Sequence, residues 1–395
     1  MSKIEISCSF CKKFQSEVKT IIKGDAVSIC NECIGLCNDM IRKFHVEKEC
    51  GPYSILYPRQ IKQMLDEEIV GQEHAKQVIA VAAFMHTLRI STGFGTKSNV
   101  LLMGPTGSGK TKMMQVLADI LDLPLAITDA TTLTEAGYVG DDVESVISRL
   151  LQVADFNIER AQHGIIYIDE IDKIARTTEN RSISRDVSGE GVQQALLKLI
   201  EGTVASVPQK SNVKHPSQDM VQINTKNILF ICGGAFEGLS NIIKKRLSPS
   251  IGIGLGTGNQ HFEKGYDFLQ DVDSHDLVKF GLIPELVGRL PIRVGLKSLT
   301  KDDLVRIITE PKSAIMTQYK SLLSSIGVNL EITDEAILAV AEKAVKQKTG
   351  ARGIRAVLEE LLLSGIYSIE EGSKKPIKVD IDALKKLDKH SHVSE

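Results

Sequence analysis

Short blocks of consecutive apolar residues, each followed by a stretch with helical spacing, recur through the middle of the chain. Val100-Leu101-Leu102-Met103 precedes a run that reads as a helix from Lys110, and Ile165 to Ile168 and Ile228-Leu229-Phe230-Ile231 repeat the arrangement. A strand that is apolar at successive positions is covered on both faces, so the pattern predicts an α/β fold, a parallel sheet between helices, over residues 59–296. Beyond Leu299 helical spacing takes over, with Thr300 as N-cap and Asp303 three residues on. The alternating Val328-Asn329-Leu330-Glu331-Ile332 and Ile377-Lys378-Val379-Asp380-Ile381 are strand candidates there, and residues 297–388 are expected to form a smaller, mostly helical domain. The Gly-rich, polar stretch from Pro249 to about Asp276 reads as a mobile loop inserted in the larger domain, and residues 389–395 as a disordered tail.

Residues 1–50 do not follow this pattern and form a unit too small to hold itself together by apolar burial. Five of the seven cysteines fall within the first 37 residues, and four of them are paired as Cys8-Ser9-Phe10-Cys11 and Cys30-Asn31-Glu32-Cys33. Two CxxC turns separated by 18 residues have the spacing of a closed tetrahedral Zn2+ site, each turn aiming two thiolates at one ion. Such an ion contributes about 10–16 kcal/mol in small peptides, enough to fold a unit with little core. The competing reading, a redox dithiol, lacks the thioredoxin-like βαβ pattern it needs. Cys37, Cys50 and Cys232 read as buried or half-buried thiols. Gly51-Pro52 and Pro58 make residues 51–58 a linker.

Length and charge narrow the classes. At 395 residues with 42% hydrophobic content, the chain has material for more than one core. Lys and Arg total 48 against 50 Asp and Glu, a formal charge of −2, which provides no general field for nucleic acid or anionic lipid. The first residues lack the apolar stretch of a secretory signal and no run long enough to span a bilayer occurs, so a soluble, cytoplasmic protein without membrane contact is expected.

The chemistry concentrates in two places. In Gly104-Pro105-Thr106-Gly107-Ser108-Gly109-Lys110-Thr111 the glycines let successive backbone N–H groups turn toward phosphate oxygens at a helix N-terminus. Lys110 supplies a cation to the β and γ phosphates of ATP, and Thr111 a hydroxyl to Mg2+. The apolar strand of Ile165 to Ile168 ends in Asp169-Glu170, placing two carboxylates at the edge of the same site. Asp169 belongs in the Mg2+ shell, and Glu170, one residue further, is placed to orient and deprotonate the attacking water.

Taken together, several segments resemble the AAA+ ATPases, most closely the ring-forming unfoldases of the Clp protease system. Pro58 to Asp66 followed by Ile69-Val70-Gly71-Gln72 is similar to their entry helix and adenine-contacting box, with Ile69 and Val70 as nucleotide contacts. Gly281-Leu282-Ile283-Pro284-Glu285-Leu286-Val287-Gly288-Arg289 resembles the arginine-finger box, and Thr349-Gly350-Ala351-Arg352-Gly353-Ile354-Arg355 the second sensor. The resemblance implies that Arg289 acts in trans, that Arg352 touches the nucleotide of its own subunit, and that the assembly is a homohexamer. A guanidinium suits these roles because it meets growing phosphate charge with planar, bidentate contacts. The strand end Ile231-Cys232-Gly233-Gly234-Ala235-Phe236 offers no Asn or Thr for a first sensor, and that role is left unassigned.

Further implications concern polypeptide handling. Gly137-Tyr138-Val139-Gly140 resembles the pore loop that drags substrate, Tyr138 and Val139 being the gripping pair between two hinge glycines. Arg185-Asp186-Val187-Ser188-Gly189-Glu190-Gly191 resembles the second pore loop. Lys214-His215-Pro216 falls at an entrance tripeptide that usually starts with Arg, whereas position 213 is Val here. Ile253-Gly254-Leu255 resembles the loop that docks the ClpP peptidase, with Leu255 where the family usually has Phe. The zinc module, by the same resemblance, dimerises and receives adaptors and tagged or unfolded substrates. The chain shows no HExxH and no nucleophile motif, so proteolysis requires a partner. A nucleic-acid-linked ATPase of the helicase-loader type, with the zinc module as reader, is the alternative; residues 1–50 hold eight Lys or Arg against seven Asp or Glu, a balance that guarantees no basic face.

Overall fold

The computed structural model describes residues 7–24, 27–37, 55–134, 141–176, 189–208, 220–248, 267–347, 349–369 and 376–379. Contacts divide the chain into two compact units, Met1–Ile55 and Leu56–Glu395. In the first, β1 (Ile21–Lys23) and β2 (Ser28–Cys30) pair antiparallel with Ile22 opposite Ile29, and a helix, α1, runs through residues 31–37. Among its described residues the buried cluster is Cys8, Cys30 and Cys33, backed by Val18, Ile21 and Ile29. The described residues supply too little apolar burial to stabilise a domain by themselves.

The second unit opens with α2 (Pro58–Asp66) and α3 (Glu73–Thr92) and then alternates strand with helix. The order is β3 (Val100–Met103), α4 (Lys110–Leu121), β4 (Leu125–Asp129), the short parallel pair β5 (Leu133–Thr134) and β6 (Asp141–Asp142), α5 (Ser145–Val153), α6 (Ile158–Gln162), β7 (Ile165–Asp169) and α7 (Glu190–Glu201). An antiparallel pair, β8 (Val204–Pro208) and β9 (Met220–Asn224), leads to β10 (Leu229–Gly234), α8 (Leu239–Leu247), α9 (Ser274–Phe280), α10 (Pro284–Arg289) and β11 (Ile292–Gly295). Five strands make one sheet in the order β11-β3-β10-β7-β4, every neighbouring pair parallel. The central β3 and β10 are buried at every position, as their unbroken apolar sequences require, while the edge strand β4 alternates buried Ala126 and Thr128 with exposed Ile127. Parallel pairing brings the C-terminal ends of β3, β7 and β10 to one end of the sheet, where open α/β sheets hold ligands.

The remaining elements are α11 (Lys301–Thr309), α12 (Ile315–Ser324), β12 (Leu330–Ile332), α13 (Asp334–Lys346), α14 (Ala351–Tyr367) and β13 (Ile377–Val379). They enclose a core of their own around Leu304, Ile308, Val340, Leu358 and Leu362. Thr300 caps α11 as expected: Asp303 N donates to Thr300 Oγ1 at 3.2 Å and Thr300 N to Asp303 Oδ2 at 3.0 Å. The first strand is shorter than the alternating pattern suggests, because Val328 N donates back to Leu323 O and still belongs to the turn that ends α12. β12 and β13 pair parallel, Leu330 opposite Ile377. No helix among the described residues is long and apolar enough to cross a membrane.

Candidate functional site

At the C-terminal end of β3 the chain enters the glycine loop, and α4 begins at Lys110. Gly107 has φ +78°, a region open to glycine, and a Cβ there would also meet the backbone of Thr349 and Gly350. Ala351 N, in the first turn of α14, donates to Gly107 O at 3.2 Å. The helical C-terminal region therefore rests directly on the glycine loop. Lys110 is buried and folds its amine over the loop, donating to Gly104 O at 2.7 Å and Pro105 O at 3.1 Å. Burial lowers its pKa, and the carboxylates of Asp169 and Asp172 oppose that shift.

Asp169 ends β7 and is held by three donors. Thr111 Oγ1 donates to its Oδ2 at 2.9 Å; the Tyr167 hydroxyl and Glu170 N donate to its Oδ1 at 3.1 and 3.0 Å. Glu170 has φ +56°, an uncommon value for a residue with a side chain, of the kind that persists where surrounding structure imposes it. Glu170 and Arg352 both line a cavity of about 390 Å³ with Gly107, Lys110, Thr111 and Asp169. Two observations fit this cavity to a nucleotide and a magnesium ion. Ser108 Oγ is buried without a hydrogen-bond partner on the loop whose N–H groups would face phosphate. A hydroxyl and a carboxylate already in contact, Thr111 and Asp169, are the hard oxygen donors that Mg2+ accepts alongside phosphate oxygens.

Two polar residues organise the site in ways the sequence does not show, Asp172 outright and Gln72 in its partners. Asp172 is buried and its two oxygens accept from Ala235 N and Phe236 N, both at 3.2 Å, which fixes the end of β10 beside β7. Gln72 donates to Lys297 O at 2.8 Å and accepts from Lys297 N at 2.9 Å, tying the entry segment to the residues after β11; its amide also lies 3.4 Å from Ser108 O. Single polar residues whose partners are dozens to hundreds of positions away leave no local pattern. Ile69 and Val70 are buried just before Gln72, Ile69 O accepting from the buried Lys76 at 3.2 Å, and neither lines the phosphate end of the cavity.

Arg289 is not in the cavity. It ends α10, three residues before Ile292, which is level with Val100 at the start of β3, so it occupies the end of the sheet opposite the glycine loop. Its guanidinium pairs with Glu201 at 2.8–2.9 Å, and Asn99 Nδ2 donates to its carbonyl at 3.0 Å. Tyr138, Val139, Val213, Lys214, Ile253, Gly254 and Leu255 lie outside the described residues, as do residues 185–188.

In the N-terminal unit, the Sγ atoms of Cys8, Cys11, Cys30 and Cys33 all lie within 4.8 Å of one another. The six described cysteines are all free thiols. Cys30 N donates to Cys8 Sγ at 3.3 Å and Cys33 N to Cys30 Sγ at 3.4 Å. Four sulfurs converging from two CxxC turns fit a structural zinc ion.

This sheet order, with a glycine loop and an Asp-Glu strand end at one end, an arginine at the other, and a helical region seated on the loop, defines an AAA+ ATPase. The description "AAA domain (Cdc48 subfamily)" matches residues 95–293, and "C-terminal, D2-small domain, of ClpB protein" matches residues 299–371. A third, "ClpX C4-type zinc finger", matches residues 6–43. The chain is 49% identical over 369 residues to the ATP-dependent Clp protease ATP-binding subunit ClpX of Treponema denticola, covering 91% of this chain and 89% of that protein. It belongs to the ClpX family, and with that family it is an ATP-hydrolysing protein unfoldase.

Proposed function

We propose that the chain works as one subunit of a homohexameric ring that unfolds tagged or misfolded proteins and threads them toward a ClpP-type peptidase in the cytoplasm. The observation that carries this reading is the separation of Arg289 from the cavity that holds Lys110, Asp169, Glu170 and Arg352. A site whose stabilising arginine lies at the far end of its own sheet is complete only when another copy supplies that arginine. The relative's name, an ATP-binding subunit of a protease, supports the peptidase partnership.

On this reading Lys110 leaves the carbonyls of Gly104 and Pro105 for the β and γ phosphates of ATP, and the loop N–H groups hold the remaining oxygens. Thr111 and Asp169 would hold Mg2+, which would supply positive charge to the phosphates. Glu170 takes the proton of the attacking water, and Arg289 from the adjacent copy meets the charge that builds on the γ phosphate. Arg352, in the first turn of α14, senses the nucleotide, and the Ala351–Gly107 contact passes loop movement to the C-terminal helices. Tyr138 and Val139 grip the polypeptide, Ile253-Gly254-Leu255 docks the peptidase, and Cys8, Cys11, Cys30 and Cys33 would hold the Zn2+ that supplies the fold of the module receiving adaptors.

The test is ATP-dependent loss of signal from a stably folded, tagged fluorescent protein, with and without ClpP from the same cell. Loss without ClpP and degradation with it are expected. A substrate that stays folded under saturating ATP, or ATPase activity stimulated by DNA instead of by unfolded protein, rejects the proposal.

A further inference from the structure

The end of β10 lacks the polar side chain expected of a first sensor, and the structure shows why. A Cβ at Gly233 would collide with the hydroxyl and ring of Tyr167, and a Cβ at Gly234 would collide with the carboxylate of Asp172. Tyr167 sits on β7 directly across from Ile231, so its hydroxyl reaches diagonally to Gly233. The neighbouring strand thus fills, with a phenol, the space that a side chain on β10 would occupy.

That phenol has a polar partner. Tyr167 and Asp169 point to the same face of β7, two residues apart, while Ile166 and Ile168 pack into the main core on the other face. The Tyr167 side chain is fully buried, and its hydroxyl donates to Asp169 Oδ1 at 3.1 Å. Thr111 shares the other Asp169 oxygen at 2.9 Å, but its hydroxyl is also the one placed for the metal. Thr111 holds Oδ2, and among the described residues Oδ1 is held by Tyr167 and Glu170 N alone.

We propose that Tyr167 is the positioning residue for Asp169, orienting the magnesium-binding carboxylate from the adjacent strand in place of a polar side chain at the end of β10. This rests on the reading that Thr111 and Asp169 hold Mg2+. A donor that orients a metal-binding carboxylate sets the affinity of the site, and its loss typically costs about 10–100-fold. A role in packing alone would need the ring and not the hydroxyl.

The experiment uses the full chain with Tyr167→Phe and Tyr167→Leu. Binding of fluorescent ADP is titrated with Mg2+, and melting is followed in parallel. Both variants are expected to raise the Mg2+ midpoint about tenfold or more. Binding of the nucleotide in excess chelator should be unchanged in Tyr167→Phe, and only Tyr167→Leu should lose thermal stability. A Tyr167→Phe midpoint within twofold of the unsubstituted protein overturns the proposal. If ADP binding by the unsubstituted protein ignores Mg2+ altogether, the magnesium reading itself falls, and the proposal with it.

Discussion

Lys97 offers a stability test with a worked magnitude. It precedes β3, donates to Thr225 O at 3.0 Å and stands 4.4 Å above the centre of the Phe230 ring. Burial, and then repulsion from Arg89, lower its pKa to about 7. The unfolded chain binds this proton up to about pH 10.5, so between the two values it holds more protons than the folded chain, and stability rises with pH. From pH 7 to 9.5 the gain is roughly 3 kcal/mol, at about 1.4 kcal/mol per unit of differential protonation. The aromatic face and the Thr225 carbonyl both favour the charged amine, which brings the expected gain nearer to about 2 kcal/mol. Lys97→Met keeps the ring contact and does not titrate. Thermal melts of both proteins at the two pH values should therefore show the variant's advantage shrinking by about 4–8 °C as pH rises. Parallel melting curves across that window would refute the reasoning, since every other titrating group is common to both proteins.

Glu170→Gln should bind ATP with little change while steady-state phosphate release falls by about 10²–10⁴-fold, the usual worth of a positioned base; undiminished release removes Glu170 from that role. Gly107→Ala forces a side chain into positive φ, at roughly 1–2 kcal/mol, and against the Thr349 backbone. Hydrogen exchange in the first turn of α14 should quicken, and equal protection would mean that this contact does not seat the helix. Leu255→Phe restores aromatic area to the docking tripeptide and should tighten ClpP binding by about 1 kcal/mol in co-sedimentation; unchanged or weaker binding argues that another segment docks the peptidase.

The parts of the fold that could be read from sequence are those where chemistry leaves little choice of residue. A strand buried on both faces must be apolar, so Val100 to Met103 and Ile165 to Ile168 announce themselves, and two CxxC turns at zinc spacing converge as expected. β11 was missed because Ile292-Arg293-Val294-Gly295 mixes a cation into a short edge strand, recognisable only once paired with β3. The β8–β9 pair was missed because its alternation is weak: Val204 and Met220 are both exposed. Tyr167 was counted as one more apolar residue of its strand, although its ring is buried and its hydroxyl faces Asp169. Asn99 carries no local signal, and Gln72 none for its tie to Lys297, since their partners Arg289 and Lys297 are 190 and 225 positions away.

With Arg289 acting in trans as proposed, the placement of Lys110 and Arg289 at opposite ends of parallel strands gives each subunit a giving end and a receiving end. Contacts between such ends are head-to-tail and self-propagating. In an open row one cavity always lacks its arginine and one arginine has no cavity, so a row has one complete site fewer than it has members. Closure supplies the missing site without adding a subunit. Activity per chain should therefore depend on protein concentration more steeply than pairwise association alone allows, and the last joint to form is worth as much to catalysis as any other.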